Sequence, residues 1–284
     1  MRAQADHGNG ALRIGELPVL RIVELAGVHL HEDPDPERVA RLVDRFGADG
    51  VLRNPPVAAR DPRHQRWIVL DGANRVTALR RLGCPHVLLQ EVDLTDPGLA
   101  LEAWHHAVEH HGRKELLAHA RGLGGVTVAD DDGRALGQPG TLCRLTFADG
   151  TSVLLLGADA LATRVEELRR FTGIYHRFTD FDRVSYTDLE HLGRNYPNFA
   201  TLVSFGRYGP EDLLALVDAG LTVPSGLTRV LLPKRALRFN LRLELLRAGL
   251  SLQDKEAWLG EAIRERVLGK AIRFYREPTF LFDE

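Results

Sequence analysis

Five consecutive residues, Asp71-Gly72-Ala73-Asn74-Arg75, carry the most legible chemistry in this sequence. A bulky run rich in β-branched residues, Trp67-Ile68-Val69-Leu70, precedes them and predicts a strand. Gly72 permits a tight turn. Val76, Leu79 and Leu82 then recur at helical spacing, which predicts a helix that stops at Gly83. The first N–H groups of a helix have no partner within it, and its dipole favours negative charge at that end. Arg75 in the first turn adds a planar fork suited to phosphate oxygens. Asp71 beside it could bind a metal ion or a substrate amine. Such a site is prepared to hold an anion. The same residues also suit a common turn and N-cap with Arg75 as a solvated helix residue, and local physics leaves both readings open.

Two other groups of residues have chemistry to offer. Ser225, Thr228 and Arg229 follow Pro224 in a compact predicted turn, where a hydroxyl and a guanidinium could hold a carboxylate; an ordinary turn with an N-cap threonine fits equally. His105 and His106, with His110 and His111, fall in a segment read as helical over residues 99–123. Adjacent helical residues point in different directions and cannot share one ion. His106 and His110 do have i, i+4 spacing, but no third ligand accompanies them, so the patch reads as polar surface.

The elements that must position these groups follow from punctuation and periodicity. Asp35 is a good helix N-cap and Pro36 suits the first helical position. Val39, Leu42, Val43 and Phe46 then mark one face of a helix expected to stop at Gly47. Strands are expected at residues 55–59 and 87–92, β-structure across 126–156 with a hairpin turn at Asp149-Gly150, and helices at 160–171, 210–219, 237–248 and 253–267. The expected division is a disordered tail over 1–10, a compact α/β unit over 11–105 and a second unit over 106–284.

Composition narrows the class. The chain has 284 residues, 44% hydrophobic and 27% charged, which suits a globular protein with a sizeable core. A net charge of -2 and a pI near 6.6 lack the basic excess of a dedicated duplex-DNA binder. Cys84 and Cys143 stand far apart without metal-ligand spacing, which argues against a disulfide scaffold or a zinc site. No apolar run resembles a signal peptide or spans a bilayer, so a cytoplasmic protein without membrane contact is expected. The oligomeric state, monomer or homodimer, is left open.

The order of helix 36–46, the Pro55-Pro56-Val57 strand and the run Ile68-Val69-Leu70-Asp71-Gly72-Ala73-Asn74-Arg75 to Gly83 resembles the ParB/sulfiredoxin superfamily. The resemblance implies an α/β (α+β) fold, with a ParB/sulfiredoxin-like N-terminal domain and a mixed α/β C-terminal domain. In that superfamily a Gly-x-x-Arg strand-turn-helix binds nucleotide phosphates, and here it maps to Gly72 and Arg75. The branch most similar is the free serine kinases, which carry an Asp-Gly-x-x-Arg version. His31-Glu32, Trp104-His105 and the segment Pro224-Ser225-Gly226-Leu227-Thr228-Arg229 also fall where that branch has similar segments, so the likeness spreads over most of the chain.

That resemblance implies transfer of a γ-phosphoryl group from ATP, with ADP the second candidate donor, to free L-serine. The product is O-phospho-L-serine for siderophore, diaminopropionate or related amino-acid biosynthesis. Mg2+ would bridge the phosphates. By the same resemblance His31, Gly72, Ala73, Asn74, Arg75 and Thr77 contact phosphate, Glu32 is the catalytic base, and Asp71 positions metal or substrate. Trp104, His105, Ser225, Thr228 and Arg229 hold the serine, in a cleft between the N-terminal unit and the C-terminal region. Two departures from the family pattern, Val230 where a histidine often follows the arginine and Ala73 where ADP-dependent members have histidine, leave the donor open. The alternative is a ParB-type nucleotide-responsive DNA-binding regulator; the acidic pI and the lack of a clear helix-turn-helix count against it.

Overall fold

The structure is a computed structural model in which residues 14–110, 112–178 and 180–275 are described. The tail expected at 1–10 lies outside them. Among the described residues a 3-10 turn (Ile14–Glu16) precedes β1 (Val19–Glu24) and β2 (Val28–Leu30), which lead into helix α1 (Pro36–Asp49). Asp35 caps α1 as the sequence predicts: its carboxylate accepts from the backbone N–H groups of Glu37 and Arg38, each at 3.0 Å, and Pro36 stands in the first turn. The helix runs past Gly47 to Asp49. It ends at Gly50, whose φ of 65° supplies the left-handed cap that Gly47 was expected to give.

Strands β3 (Val51–Leu52), β4 (Val57–Asp61) and β5 (Arg66–Asp71) lead to helix α2 (Ala73–Arg81) and strand β6 (His86–Val92). The first sheet has the order β1-β6-β4-β5-β2, with β2 parallel to β5 and β4 parallel to β6. Helix α2 buries Val76, Ala78 and Leu79 against the same core as Ile22, Val28 and Leu88. Each fully buried aliphatic side chain there is worth roughly 1.5–3 kcal/mol.

Next come β7 (Ala100–Ala103), β8 (His105–Glu109), α3 (Arg113–Gly122), β9 (Thr127–Asp130), β10 (Thr141–Phe147) and β11 (Ser152–Leu156). They are followed by α4 (Leu161–Phe178), β12 (Phe181–Val184), α5 (Leu189–Asn195), β13 (Phe199–Phe205) and α6 (Pro210–Asp218). The second sheet has the order β12-β8-β13-β10-β11-β9. The helix expected across 99–123 is therefore two strands and a shorter helix. Ala, Leu and Glu are good helix formers, but propensity is a small local preference that tertiary pairing overrides. Strand β8 takes a central place between β12 and β13, which buries His106, Ala107 and Val108 in succession. Such a short run has no period that separates a buried strand from a helix.

The last elements are β14 (Thr228–Leu231), β15 (Leu241–Arg242), α7 (Leu243–Arg247) and α8 (Leu252–Leu268). Strand β14 pairs with β7, setting Thr228 opposite Ala103 and Arg229 opposite Glu102. The helix expected at 237–248 shrinks to α7, preceded by β15 and by irregular chain in which Arg238 (φ 53°) and Asn240 (φ 56°) leave the helical region. Phe239, Leu241, Leu243, Leu246 and Leu259 pack into the first core rather than the second, so the packing does not follow a division at residue 105. The α/β class expected from the sequence is the one found. Among the described residues no helix is long and apolar enough to cross a membrane.

Candidate active site

Parallel pairing of β2 with β5 brings their C-terminal ends together, the usual place for a ligand in an open α/β sheet. The last paired residues are Leu30 and Val69. Glu32 and Asp71 each lie two residues beyond them, on neighbouring chain ends.

Asp71 and Gly72 form the turn into α2. Gly72 has a φ of 102°, a conformation that side chains rarely adopt, and no side chain caps the helix it begins. A Cβ on Gly72 would lie 2.9 Å from Arg75 Nη2 and 3.0 Å from Pro56 Cβ. Gly72→Ala is therefore expected to destabilise the protein by about 1–3 kcal/mol, from backbone strain and crowding together. Urea unfolding of the two proteins measures this, and an unchanged midpoint would show the turn to be pliable.

Arg75 does not present an open fork. Its guanidinium folds back under the turn, Nη1 donating to the carbonyls of Asn54 (2.9 Å) and Pro55 (3.3 Å) and Nη2 to Asp71 Oδ2 (2.7 Å). Arg235 donates to the same Asp71 oxygen. Burial works to raise the pKa of the Asp71 carboxyl, but the two guanidinium groups outweigh it and hold the carboxyl below its ordinary range. Asn74 Oδ1 accepts from the backbone N–H of Asp35 at 2.7 Å, tying the start of α1 to α2. Thr77 Oγ1, one turn into α2, is buried and has no hydrogen-bond partner among the described residues.

Glu32 is half-buried and firmly held. One carboxylate oxygen accepts from the backbone N–H of Gly226 at 2.7 Å. The other accepts from the N–H of Thr228 at 3.1 Å and from the Thr228 hydroxyl. Backbone pairing sustains this contact, since Val223 N–H donates to His31 O and Asp33 N–H to Val223 O, both at 2.8 Å. His31, expected by resemblance to contact phosphate, has both ring nitrogens engaged within the protein. It is 3% exposed, with Nδ1 2.6 Å from Val69 O and Nε2 2.9 Å from Thr228 Oγ1. Thr228, expected to hold substrate, has its hydroxyl between Glu32 and His31.

The segment 225–228 is anchored from behind. Gly226 O accepts from His106 Nε2 at 3.0 Å, and His106 Nδ1 accepts from the Tyr175 hydroxyl at 2.7 Å. Burial pushes the pKa of His106 down to about 3, so the ring is neutral and the donor roles are fixed. Ser225 Oγ accepts from Arg183 Nη2 at 3.1 Å. Arg183 packs its guanidinium against Gly226, where a Cβ would collide with its Nε. No ion pair to Arg183 is present among the described residues, and burial lowers its pKa. Trp104 and Arg229 come together, the guanidinium carbon 4.6 Å from the ring centroid. His105, on β8, is half-buried, and its Nδ1 has no partner among the described residues.

The structure thus gathers Glu32, His31, Ser225 and Thr228 into one cluster, and Asp71, Gly72 and Arg75 into a second. Trp104 and Arg229 form a third pair beside the first cluster. Sequence reasoning missed Arg235, Asn54 and Arg183, and it read His106 as part of a polar surface, whereas strand pairing of β8 buries it fully. The basic pair Lys234-Arg235 after Pro233 could have drawn attention to Arg235. Arg183 follows a run of acids that gives no hint of its place, and Asn54 acts on Arg75 through its carbonyl, which has no side-chain signature.

No family model matches the chain. It is 24% identical over 265 residues to the ATP-dependent L-serine kinase SbnI of Staphylococcus aureus, spanning 93% of this chain and 97% of that one. It is 28% identical over 78 residues to an ATP-dependent L-serine kinase of Staphylothermus marinus, 28% of this chain and 31% of the other. The structure of SbnI from Staphylococcus aureus with a C-terminal truncation matches at a TM-score of 0.70 and 23% identity, covering 87% of this chain and 96% of that one. A free serine kinase in complex with AMP matches at a TM-score of 0.70 and 16% identity, covering 81% and 94%. At these identities the structural likeness establishes the fold.

Proposed function

We propose that this protein is a free L-serine kinase that transfers the γ-phosphoryl group of ATP to the serine hydroxyl and releases O-phospho-L-serine. The observation that carries the reading is a carboxylate, Glu32, held by three donors on one of two neighbouring strand ends, with a glycine turn and an uncapped helix N-terminus on the other. The near full-length likeness to a relative named as an ATP-dependent L-serine kinase supports it.

In this reading the serine O–H bond breaks and its proton passes to Glu32. The serine oxygen bonds to the γ-phosphorus, and the bond from that phosphorus to the bridging oxygen breaks with its electron pair leaving on ADP. The backbone N–H groups of Ala73, Asn74 and Arg75 receive phosphate oxygens, and Thr77 Oγ1 is an unmet donor that a bound nucleotide can engage. Arg75 contributes by holding the turn. Among the described residues no set of three protein ligands for a metal lies at this site; the set present elsewhere, Asp61, His64 and Asp218, already has its acids paired with Arg63 and Arg66. Mg2+ takes one or two carboxylates and completes its shell with phosphates and water. Asp71 Oδ1 is the protein oxygen suited to it, and the ion would offset phosphate charge during transfer. Trp104 and Arg229 form the platform for serine, Arg229 meeting its carboxylate, with His105 and Ser225 at its edges.

Phosphate is a good leaving group on the β-carbon of the product, which suits siderophore, diaminopropionate or related amino-acid biosynthesis in the cytoplasm. The test is incubation of purified protein and Mg2+ with L-serine and ATP, ADP or CTP, followed by mass spectrometry. O-phosphoserine with ATP is expected; its absence with every donor sinks the reading.

A further inference from the structure

The proton count around Glu32 does not close. Val69 O has no proton, so at 2.6 Å His31 Nδ1 must carry one. In a neutral ring Nε2 is then a bare acceptor, and it faces Thr228 Oγ1 at 2.9 Å. The same hydroxyl oxygen contacts Glu32 Oε2. A hydroxyl has one proton, and here two acceptors claim it. Burial, the largest influence on His31, pushes its pKa down and outweighs the upward pull of Glu32, so the ring stays neutral.

Resting on the kinase reading, we propose that Thr228 and His31 are positioning residues for Glu32: a hydrogen-bond chain running from half-buried Glu32 to fully buried His31, one proton short while Glu32 is a carboxylate, that is completed by the proton Glu32 takes from serine. Once Glu32 Oε2 is protonated, it donates to Thr228 Oγ1. The Thr228 hydroxyl then turns to donate to His31 Nε2, and His31 Nδ1–H continues to Val69 O. Every donor in that chain has an acceptor, and no buried acceptor faces another. Only the serine O–H bond is exchanged for a Glu32 O–H bond, and the Thr228 proton reorients without leaving its oxygen. An unmet acceptor in a buried network is costly, so the network draws the proton in as phosphoryl transfer proceeds.

Other titratable and charged groups face this chain from the elements packed against it. They are Asp33 and Asp35 beside Glu32, Arg183 of β12, and Glu102, Tyr208 and Arg229 around a cavity of about 10 Å³ that also touches His31 and Thr228. A cavity of that size holds one water at most.

Thr228→Val keeps the shape and removes the hydroxyl. It is expected to lower kcat about tenfold or more while the KM for serine stays within about threefold. Thr228→Ser restores the hydroxyl and should recover most of the lost kcat. His31→Gln should lower kcat in the same way, and combining it with Thr228→Val should add little further loss, because both break one chain. If Thr228 instead grips serine, Thr228→Val raises KM and leaves kcat alone, which overturns the proposal. So does a kcat unchanged in both variants. Should Thr228→Val fail to fold, the kcat of His31→Gln at unaltered serine KM decides the matter. A wild-type enzyme that makes no phosphoserine defeats the kinase reading itself, and that is seen before any variant is compared.

Discussion

Replacing Glu32 with glutamine is expected to lower the kcat for phosphoserine formation by about 10²- to 10⁴-fold, the usual worth of a positioned general base. The variant loses the negative charge that accepts the substrate proton and keeps nearly the same volume. Local geometry adds a second effect. Glu32 offers one oxygen to Gly226 N–H and the other to Thr228 N–H and the Thr228 hydroxyl. Glutamine has a single acceptor oxygen, so one of these donors meets an amide NH2 instead and segment 225–228 shifts slightly. Glu32→Asp keeps both oxygens on a shorter stem, out of reach of the same donors, and should be intermediate. Single-turnover kinetics with saturating nucleotide, together with thermal melting, separates the roles. If Glu32 only braces the Gly226–Thr228 segment, activity falls in step with melting temperature, and a well-folded Glu32→Gln enzyme still turns over. A folded Glu32→Gln enzyme with wild-type kcat removes Glu32 from the chemistry.

What the sequence reveals here divides along the range of the interactions. The cap of α1 was legible because its bonds run from Asp35 to N–H groups two and three residues away. The β5–Gly72–α2 turn was legible for the same reason: a strand-forming run, a residue tolerant of positive φ and a helical repeat adjoin one another. Strands β7 and β8 were read as helix because their partners, β14, β12 and β13, lie far along the chain, and local composition carries no mark of them. The same limit applies within the site. Thr228 is 196 residues from Glu32, and nothing beside it says that its hydroxyl is already engaged. His31 reads as a loop residue until Val223 pairs across it and seals it in. The family resemblance supplied Glu32 and Trp104 where local physics was silent, and a near full-length relative named as a serine kinase agrees with the function it implied.

The Gly72–Arg75 motif admits a second physical role for its arginine, that of holding the turn. Its arginine reads as a phosphate fork, but its Nη atoms are directed to Asn54 O, Pro55 O and Asp71. Its side chain is only 15% exposed, so these bonds are poorly replaced by water. Lysine keeps the charge but offers one compact ammonium, which cannot reach two carbonyls and a carboxylate in the geometry of a planar fork. Arg75→Lys is therefore expected to cost about 2 kcal/mol of stability, a melting decrease of about 4 °C or more. Nucleotide affinity should fall about tenfold or more, because the turn that aims the α2 N–H groups loosens. Arg235→Gln removes only the second partner of Asp71, which Arg75 still holds, and should lower the melting temperature less. Differential scanning calorimetry with and without nucleotide reads both effects. A phosphate-contacting Arg75 predicts a different pattern: an unchanged apo melting temperature with the entire loss in nucleotide binding. The two outcomes separate an arginine that touches the phosphate from one that shapes the cradle around it.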